Sequence, residues 1–324
     1  MLIERYSDAA KPEWDRFVTA SKNGHFQFQR AYMDYHRDRF PDFSWIVRDD
    51  QGHPVALLPA HRSGAFMSSH AGLTQGGFLT DSSMKLPRML RIFDEVLTRL
   101  QEEGVETLLY KTIPHTYHAV PAEEDRYALF LLGARWVRSG MLAVVDREQR
   151  PAYQERRRRA IKKALGRHLQ ILQIPKLAEY WAMLTKLLAE VHNTRPVHTL
   201  EEMQSLHVAF PGEIQLHGCF EDSRMLAGVL IYESPRVARA QYIASTDEGR
   251  AAGALDLLFD HLLTVRYADK RYFDFGTSEE AGGCQINEGL VGQKEGFGAR
   301  AVAMDHYEIN LNRWNPGSLT RALT

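Results

Sequence analysis

Apolar positions recur along this chain with two periods, and their alternation sets out the elements. Residues 2–6 read as a short strand, and Lys11-Pro12 opens a helix through Trp14, Phe17 and Val18, with the proline in an early turn where a helix tolerates it. Residues 26–40 carry Tyr32, Met33, Tyr35 and Phe40 at helical spacing and predict a helix with an aromatic core face. Residues 44–47 and 54–60 are strand-like on either side of Asp49-Asp50-Gln51-Gly52, a hairpin signal, and residues 65–80 read as extended and glycine-rich. Over 87–101 a helix places Leu90, Ile92, Phe93, Val96, Leu97 and Leu100 on one face, and Gly104 stops it. A buried strand over 105–110, a short helix over 125–132 ended by Gly133 and an extended pair over 135–145 complete this half.

The second half runs through the same order. A strand over 169–174 is followed by helices over 176–192 and 200–209, the latter opened by Thr199 with Glu202 three residues on, a capping box. A hairpin joins 213–220 to 225–232 across Glu221-Asp222-Ser223, and a strand over 237–245 leads to an amphipathic helix over 251–265. A strand over 271–275, a helix over 287–294 and a strand pair over 299–311 follow. The repeated order predicts an α/β (α+β) protein of two tandem domains, 1–148 and 149–324, each a mixed, mostly antiparallel central sheet flanked by helices. No residue-level repeat accompanies it.

Composition adds bounds rather than a function. A chain of 324 residues with 44% hydrophobic content suits two well-filled domains. Its 41 acidic and 40 basic residues nearly cancel, so net charge gives no reason for indiscriminate binding to nucleic acid or anionic membrane. Cys219 and Cys284 lie far apart and suit a reducing compartment. Charges interrupt the first 17 residues, and no apolar window approaches the length of a membrane helix. These features predict a soluble, cytoplasmic protein and are compatible with peripheral attachment at the inner face of the membrane.

Two stretches stand out chemically. The strand ending at Gly276 runs into Ser278, Glu279 and Glu280, then Asn287 and Lys294. The run from Arg156 to Lys163 holds six cations in eight residues and leaves Ala160, Ile161, Ala164 and Leu165 to pack. It reads either as a solvated face or as a dock for an anion, a lipid- or nucleotide-linked sugar diphosphate or tRNA; without interleaved aromatic residues the diphosphate is favoured. His115 and His118 have no carboxylate or cysteine set beside them, so no metal is expected. The chain has no G-x-G-x-x-G after a strand, no Walker loop and no G-x-S-x-G elbow, which argues against dinucleotide, nucleotide-hydrolase and serine-hydrolase chemistry.

The repeated element order resembles the GNAT (acyl-CoA N-acyltransferase) superfamily, present twice. Three segments are similar to tandem-GNAT proteins of the FemAB-like group and of bacterial envelope polysaccharide functions: RRRRAIKKALGRHLQI from Arg156, RPVHTLEEM from Arg195 with LAGVLIY and AQYIAST behind it, and FDFGTSEE with INEGLVGQKEGFGAR. They cover much of 150–310. The first half rests on topology alone and is expected to be a non-catalytic partner. In such folds the fourth and fifth strands splay, the coenzyme A thioester enters the gap, and a helix N-terminus holds the pyrophosphate through its free N–H groups. Arg250-Ala251-Ala252-Gly253-Ala254-Leu255 matches the R/Q-x-x-G-x-G/A loop of the superfamily except at Leu255.

The resemblance implies transfer of an acyl group from acyl-CoA, such as acetyl-CoA, to an amine or hydroxyl of a cell-envelope or sugar precursor. Fem-type members use aminoacyl-tRNA instead, typically with a coiled-coil arm that this sequence does not show. A non-catalytic module that binds a glycan precursor is the third reading. The implied catalytic residues are Glu279, Glu280 and His198. The implied donor-binding residues are Tyr242, Ser245, Arg250, Gly253, Asn287 and Lys294, and the implied acceptor-binding residues are Ser278, Arg195, Arg159 and Lys163.

Overall fold

The computed structural model of the chain describes residues 1–280 and 283–323. The elements run β1 (Leu2–Arg5), α1 (Lys11–Ala20), α2 (Arg30–Met33), β2 (Trp45–Arg48), β3 (Pro54–Leu58), β4 (His61–Ser63), β5 (Phe66–Ser68), β6 (Leu79–Thr80), α3 (Leu86–Glu102), β7 (Thr107–Lys111), α4 (Glu124–Leu131) and β8 (Arg135–Asp146). They continue as α5 (Glu155–Leu165), β9 (Gln170–Ile174), α6 (Ala178–His192), α7 (Leu200–Ala209), β10 (Ile214–Glu221), β11 (Arg224–Glu233), β12 (Val237–Ser245), α8 (Asp247–Ala252) and α9 (Ala254–His261). The last are β13 (Tyr272–Thr277), β14 (Glu279–Glu280), β15 (Gln285–Ile286), α10 (Glu288–Glu295) and β16 (Arg300–Asn310). They form two compact units, Met1–Gly140 with Ala303–Thr324, and Met141–Val302.

In the first unit the apolar stripe of α3 does what its spacing predicts. Leu90, Phe93, Val96, Leu97 and Leu100 are buried in one core with Trp45, Val47, Leu58, Leu108 and Tyr110. Each such burial stabilises by about 1.5–3 kcal/mol. The β2–β3 hairpin forms as expected, with Trp45 opposite Leu58. The contiguous division at 148/149 differs from these units, because the end of the chain returns to the first one. Residues His306 to Asn310 of β16 pair antiparallel with β7, and Leu311 and Leu319 enter its core.

Other expectations are corrected here. Residues 26–40 are not one helix: Phe26–Phe28 and Asp34–His36 are 3-10 turns around the short α2. Phe26, Phe28 and Tyr32 are all buried, so their spacing does not mark a single helix face. The Arg30 guanidinium is buried beside Asp42, 3.0 Å away, and lies 3.8 Å over the Tyr6 ring, which fixes the local chain path. The extended reading of 65–80 holds only at β5 and β6, with turns between. Residues 135–145 and 299–311 are not strand pairs; β8 and β16 are single long strands.

The second unit is built on the order β9-β10-β11-β12-β13, with Leu142 to Asp146 of β8 antiparallel to β13. Successive side chains of a strand face opposite sides. Val229, Ala238, Ala240 and Phe273 share a core with Ile161 of α5 and Leu258 and Phe259 of α9, whereas a one-residue bulge at Gln241 breaks the alternation in β12 and turns Tyr242 to the opposite face, where it meets Trp181 of α6 edge to face at 5.3 Å. The helix expected over 251–265 starts earlier and is broken. Gly253, at φ +80°, separates α8 from α9, and a π-helical turn, Leu262–Arg266, ends the run. A Cβ at Gly253 would lie 2.5 Å from the Ala160 carbonyl oxygen, so close packing of α5 requires glycine there. Among the described residues, no helix is long and apolar enough to cross a membrane.

Candidate functional site

β12 and β13 run parallel and pair only at Val237–Tyr272, Ala238–Phe273 and Arg239–Asp274. β12 then continues for six residues to Ser245 without a β13 partner among the described residues. Both strands contribute to the divergence. In β12 the ladder to β11 shifts between Leu230 and Ile231, leaving Gln241 as a bulge. In β13, Gly276 takes φ +73°, its N–H donates to Asp274 Oδ1 at 2.7 Å, and the register with β8 shifts between Asp274 and Thr277. The backbone of β12 beyond Arg239 is thereby released from the β13 ladder.

A cavity of about 830 Å³ occupies the fork. At its apex the Arg239 guanidinium donates to Asp274 Oδ2 at 2.9 Å, and Asp274 is completely buried. Lys294 reaches the same place from α10. Its ammonium donates to the carbonyl oxygens of Thr277 at 2.6 Å and Gly276 at 3.2 Å, and burial pushes its pKa down to about 8. The helix is set by Asn287, whose Oδ1 accepts the Leu290 N–H at 3.0 Å.

Tyr242, on the part of β12 that lies beyond its pairs with β13, lines the cavity, and its hydroxyl lies 2.6 Å from Nδ1 of the buried His198. His198 is held there by the capping box one residue on. The Thr199 hydroxyl accepts the Glu202 N–H at 3.1 Å, and the Glu202 carboxylate accepts the Thr199 N–H at 2.8 Å. Arg156, Arg157 and Arg250 form a cationic part of the lining. Arg157 is paired with Asp256 at 2.5 Å, and Arg250 donates to the Ser245 carbonyl at 2.9 Å. Burial raises the pKa of Asp256, with the Arg157 charge opposing it.

Of the expected site residues, Tyr242, Ser245, Arg250 and Lys294 line the cavity, and His198 stands one hydrogen bond behind it. Glu279 and Glu280 are absent from the lining, although the Glu279 charge acts on Lys294. After Gly276 the chain forms the two-residue ladder of β14 with β15; Glu279 accepts from the Met141 N–H and Glu280 from Asn287 Nδ2 at 2.7 Å. Gly253 and Asn287 have the packing and capping roles described above, outside the lining. Ser278 is buried beside the fork but does not line it, and its hydroxyl has no partner among the described residues. Arg195, Arg159 and Lys163 are exposed, Arg159 bonded to Glu155 at 3.0 Å. The basic helix instead turns Arg156, Arg157 and Ala160 to the cavity.

Sequence reasoning missed Arg239 and Asp274. The available signal was a single charge inside each of two otherwise apolar strands, which a buried chain carries only when the charges meet.

No sequence profile of a known family matches the chain, and no curated protein is similar to it in sequence. Solved structures do match in fold over nearly the whole chain. FemX superposes with a TM-score of 0.69 at 13% identity, covering 97% of this chain and 98% of that one. L-PGS from Bacillus licheniformis gives 0.57 at 13% identity, covering 98% and 96%. A tandem GNAT protein from the clavulanic acid biosynthesis pathway gives 0.53 at 12% identity, covering 97% and 99%. The fold is therefore the tandem GNAT, FemX-like one. At these identities the likeness extends to the fold alone.

Proposed function

We propose that the chain is a GNAT-type N-acyltransferase that moves an acyl group from an acyl-CoA thioester to an amine, or a hydroxyl, of a cell-envelope or sugar precursor. The observation that carries this reading is the fork: two parallel strands part at Arg239 and Asp274 over a cavity that a buried ammonium enters. A thioester carbonyl seated there meets the released N–H groups of β12 and the Lys294 ammonium, donors suited to the negative charge that develops on oxygen.

The acceptor amine attacks the carbonyl carbon, a C–N bond forms, and collapse of the tetrahedral intermediate breaks the C–S bond. One amine proton passes to the Tyr242–His198 pair, and the same pair returns a proton to the departing thiolate, so the products are an amide and free coenzyme A. Arg239 and Asp274 hold the fork open rather than react. Arg156 and Arg250 supply positive charge for the phosphate-bearing part of the donor. Glu279 and Glu280, engaged with the Met141 amide and Asn287, take no part in this scheme.

Free-thiol release from acetyl-CoA, measured with a panel of primary amines, tests it. Lys294→Met and Tyr242→Phe are expected to lose turnover, the former by about 10²–10³-fold, while still unfolding cooperatively on heating. Turnover unaltered in both variants, or no thiol release with any amine, overturns the proposal.

A further inference from the structure

We infer that the acyl group this site takes is an apolar chain longer than acetyl, laid along one face of α6; the inference rests on the acyltransferase reading above. Leu184, Leu187, Leu188 and Val191 occur at i, i+3, i+4 and i+7, a single stripe on the helix, and all four line the cavity. Such a stripe ordinarily closes on a sheet. Here only Leu184 is covered, at 1% exposure, whereas Leu187 and Leu188 are half-buried and Val191 is 58% exposed. The charged residues of that part of α6, Lys186 and Glu190, are exposed, approach each other at 3.9 Å and are absent from the lining.

The direction of the ligand follows from the two faces of the sheet. Trp181 against Tyr242 places α6 on one face of β12, and Ala240 packed with Phe259 places α9 on the other. The lining draws on both, so the cavity passes through the fork. Arg157 packs with Asp256 of α9, which puts the cationic end of α5 on the α9 face. A donor anchored there by its phosphates, with its carbonyl beside Lys294, sends its acyl substituent out toward α6. From Leu184 to Val191 the stripe runs roughly 10 Å. An acetyl group leaves Leu187, Leu188 and Val191 facing water, while a longer chain covers them.

Calorimetric titration of the full chain with coenzyme A, acetyl-CoA, butyryl-CoA and octanoyl-CoA reads this directly. Each methylene fully covered tightens binding by about fourfold, so octanoyl-CoA is expected to bind on the order of 100-fold more tightly than acetyl-CoA with only part of its chain covered. In Leu187→Ser/Leu188→Ser the octanoyl-to-acetyl ratio should fall below about 10-fold, and Leu188→Met, which keeps an apolar surface, should preserve it. Equal affinities across the series overturn the inference and leave the acyltransferase reading standing. A parent-like ratio in the double serine variant also overturns it, because the chain then lies elsewhere. Failure of coenzyme A and of every thioester to bind removes the acyl-CoA reading and this inference with it.

Discussion

Lys294 and Thr277 are joined by a 2.6 Å hydrogen bond from the side-chain ammonium to the peptide carbonyl oxygen, which ties α10 to the end of β13 where that strand has left β12. Two of the three ammonium protons go to carbonyls, of Thr277 and Gly276. Lys294 is also part of the cavity lining.

That placement gives a pH signature. Burial holds the Lys294 pKa at about 8 against an ordinary 10.5, and only the charged form stabilises an oxyanion. Turnover should therefore fall by about tenfold per pH unit above 8. Lys294→Arg, which stays charged throughout, should lose that alkaline limb even at a lower rate. An identical limb in the arginine variant would assign the titration to another group.

The Arg239–Asp274 pair should be costly to break. Asp274 is wholly buried, bonds Arg239 and also accepts the Gly276 N–H. Asp274→Ala leaves a buried guanidinium without this carboxylate and is expected to lower unfolding free energy by about 3–5 kcal/mol, measured by urea denaturation. Arg239→Met/Asp274→Leu should recover much of that loss. A change below about 1 kcal/mol in the single variant would mean that the fork does not depend on the pair.

Gly253→Ala tests the break between α8 and α9. An L residue at φ +80° costs about 1–2 kcal/mol, and the added methyl meets the Ala160 carbonyl oxygen at 2.5 Å. A loss of about 2 kcal/mol or more is expected, without rescue by Ala160→Gly, since the clash is with backbone. A melting temperature equal to the parent's would contradict the packing of α5 on this turn.

Acid should destabilise the fold through its buried histidines. Burial lowers the pKa of His118, His217 and His306 to about 4 and depresses those of His61 and His70 as well. The unfolded chain takes up these protons near 6.5, so the stability they contribute is whole above pH 6.5 and is lost as pH falls toward 4, by about 1 kcal/mol per unit for each. Asp125, raised to about 6 by burial, has the opposite sign, gaining stability as pH drops through 6. The net expectation is a lower urea midpoint at pH 5.5 than at 7.5, with a shallower dependence in His217→Asn. A midpoint that rises on acidification would contradict it.

Where one face of an element is buried, the sequence shows it. The α3 stripe, the β2–β3 hairpin, the Thr199 capping box and the Asn287 cap all form where local pattern and local chemistry agree. The splay was legible only through the order of elements, since the bulge at Gln241 leaves no mark on hydropathy. Adjacency on the chain says nothing of direction, so Glu279 and Glu280 gave no sign of the contacts they make after Gly276, with the Met141 N–H and Asn287. Residues 26–40 misled because aromatic spacing cannot distinguish a helix face from side chains buried on several sides around Arg30. The return of β16 to β7 is a pairing between distant stretches, which no local period encodes.

Hydrogen exchange of the β12 amides from Ala240 to Ser245, followed residue by residue with and without acetyl-CoA, bears most directly on the fork as a donor site. The β13-facing amides should exchange readily in the free protein and slow by at least about tenfold with acetyl-CoA bound, while those laddered to β11 stay protected throughout. Full protection of every β12 amide in the free protein, unchanged by acetyl-CoA, would show that the strands do not part and that no thioester enters between them.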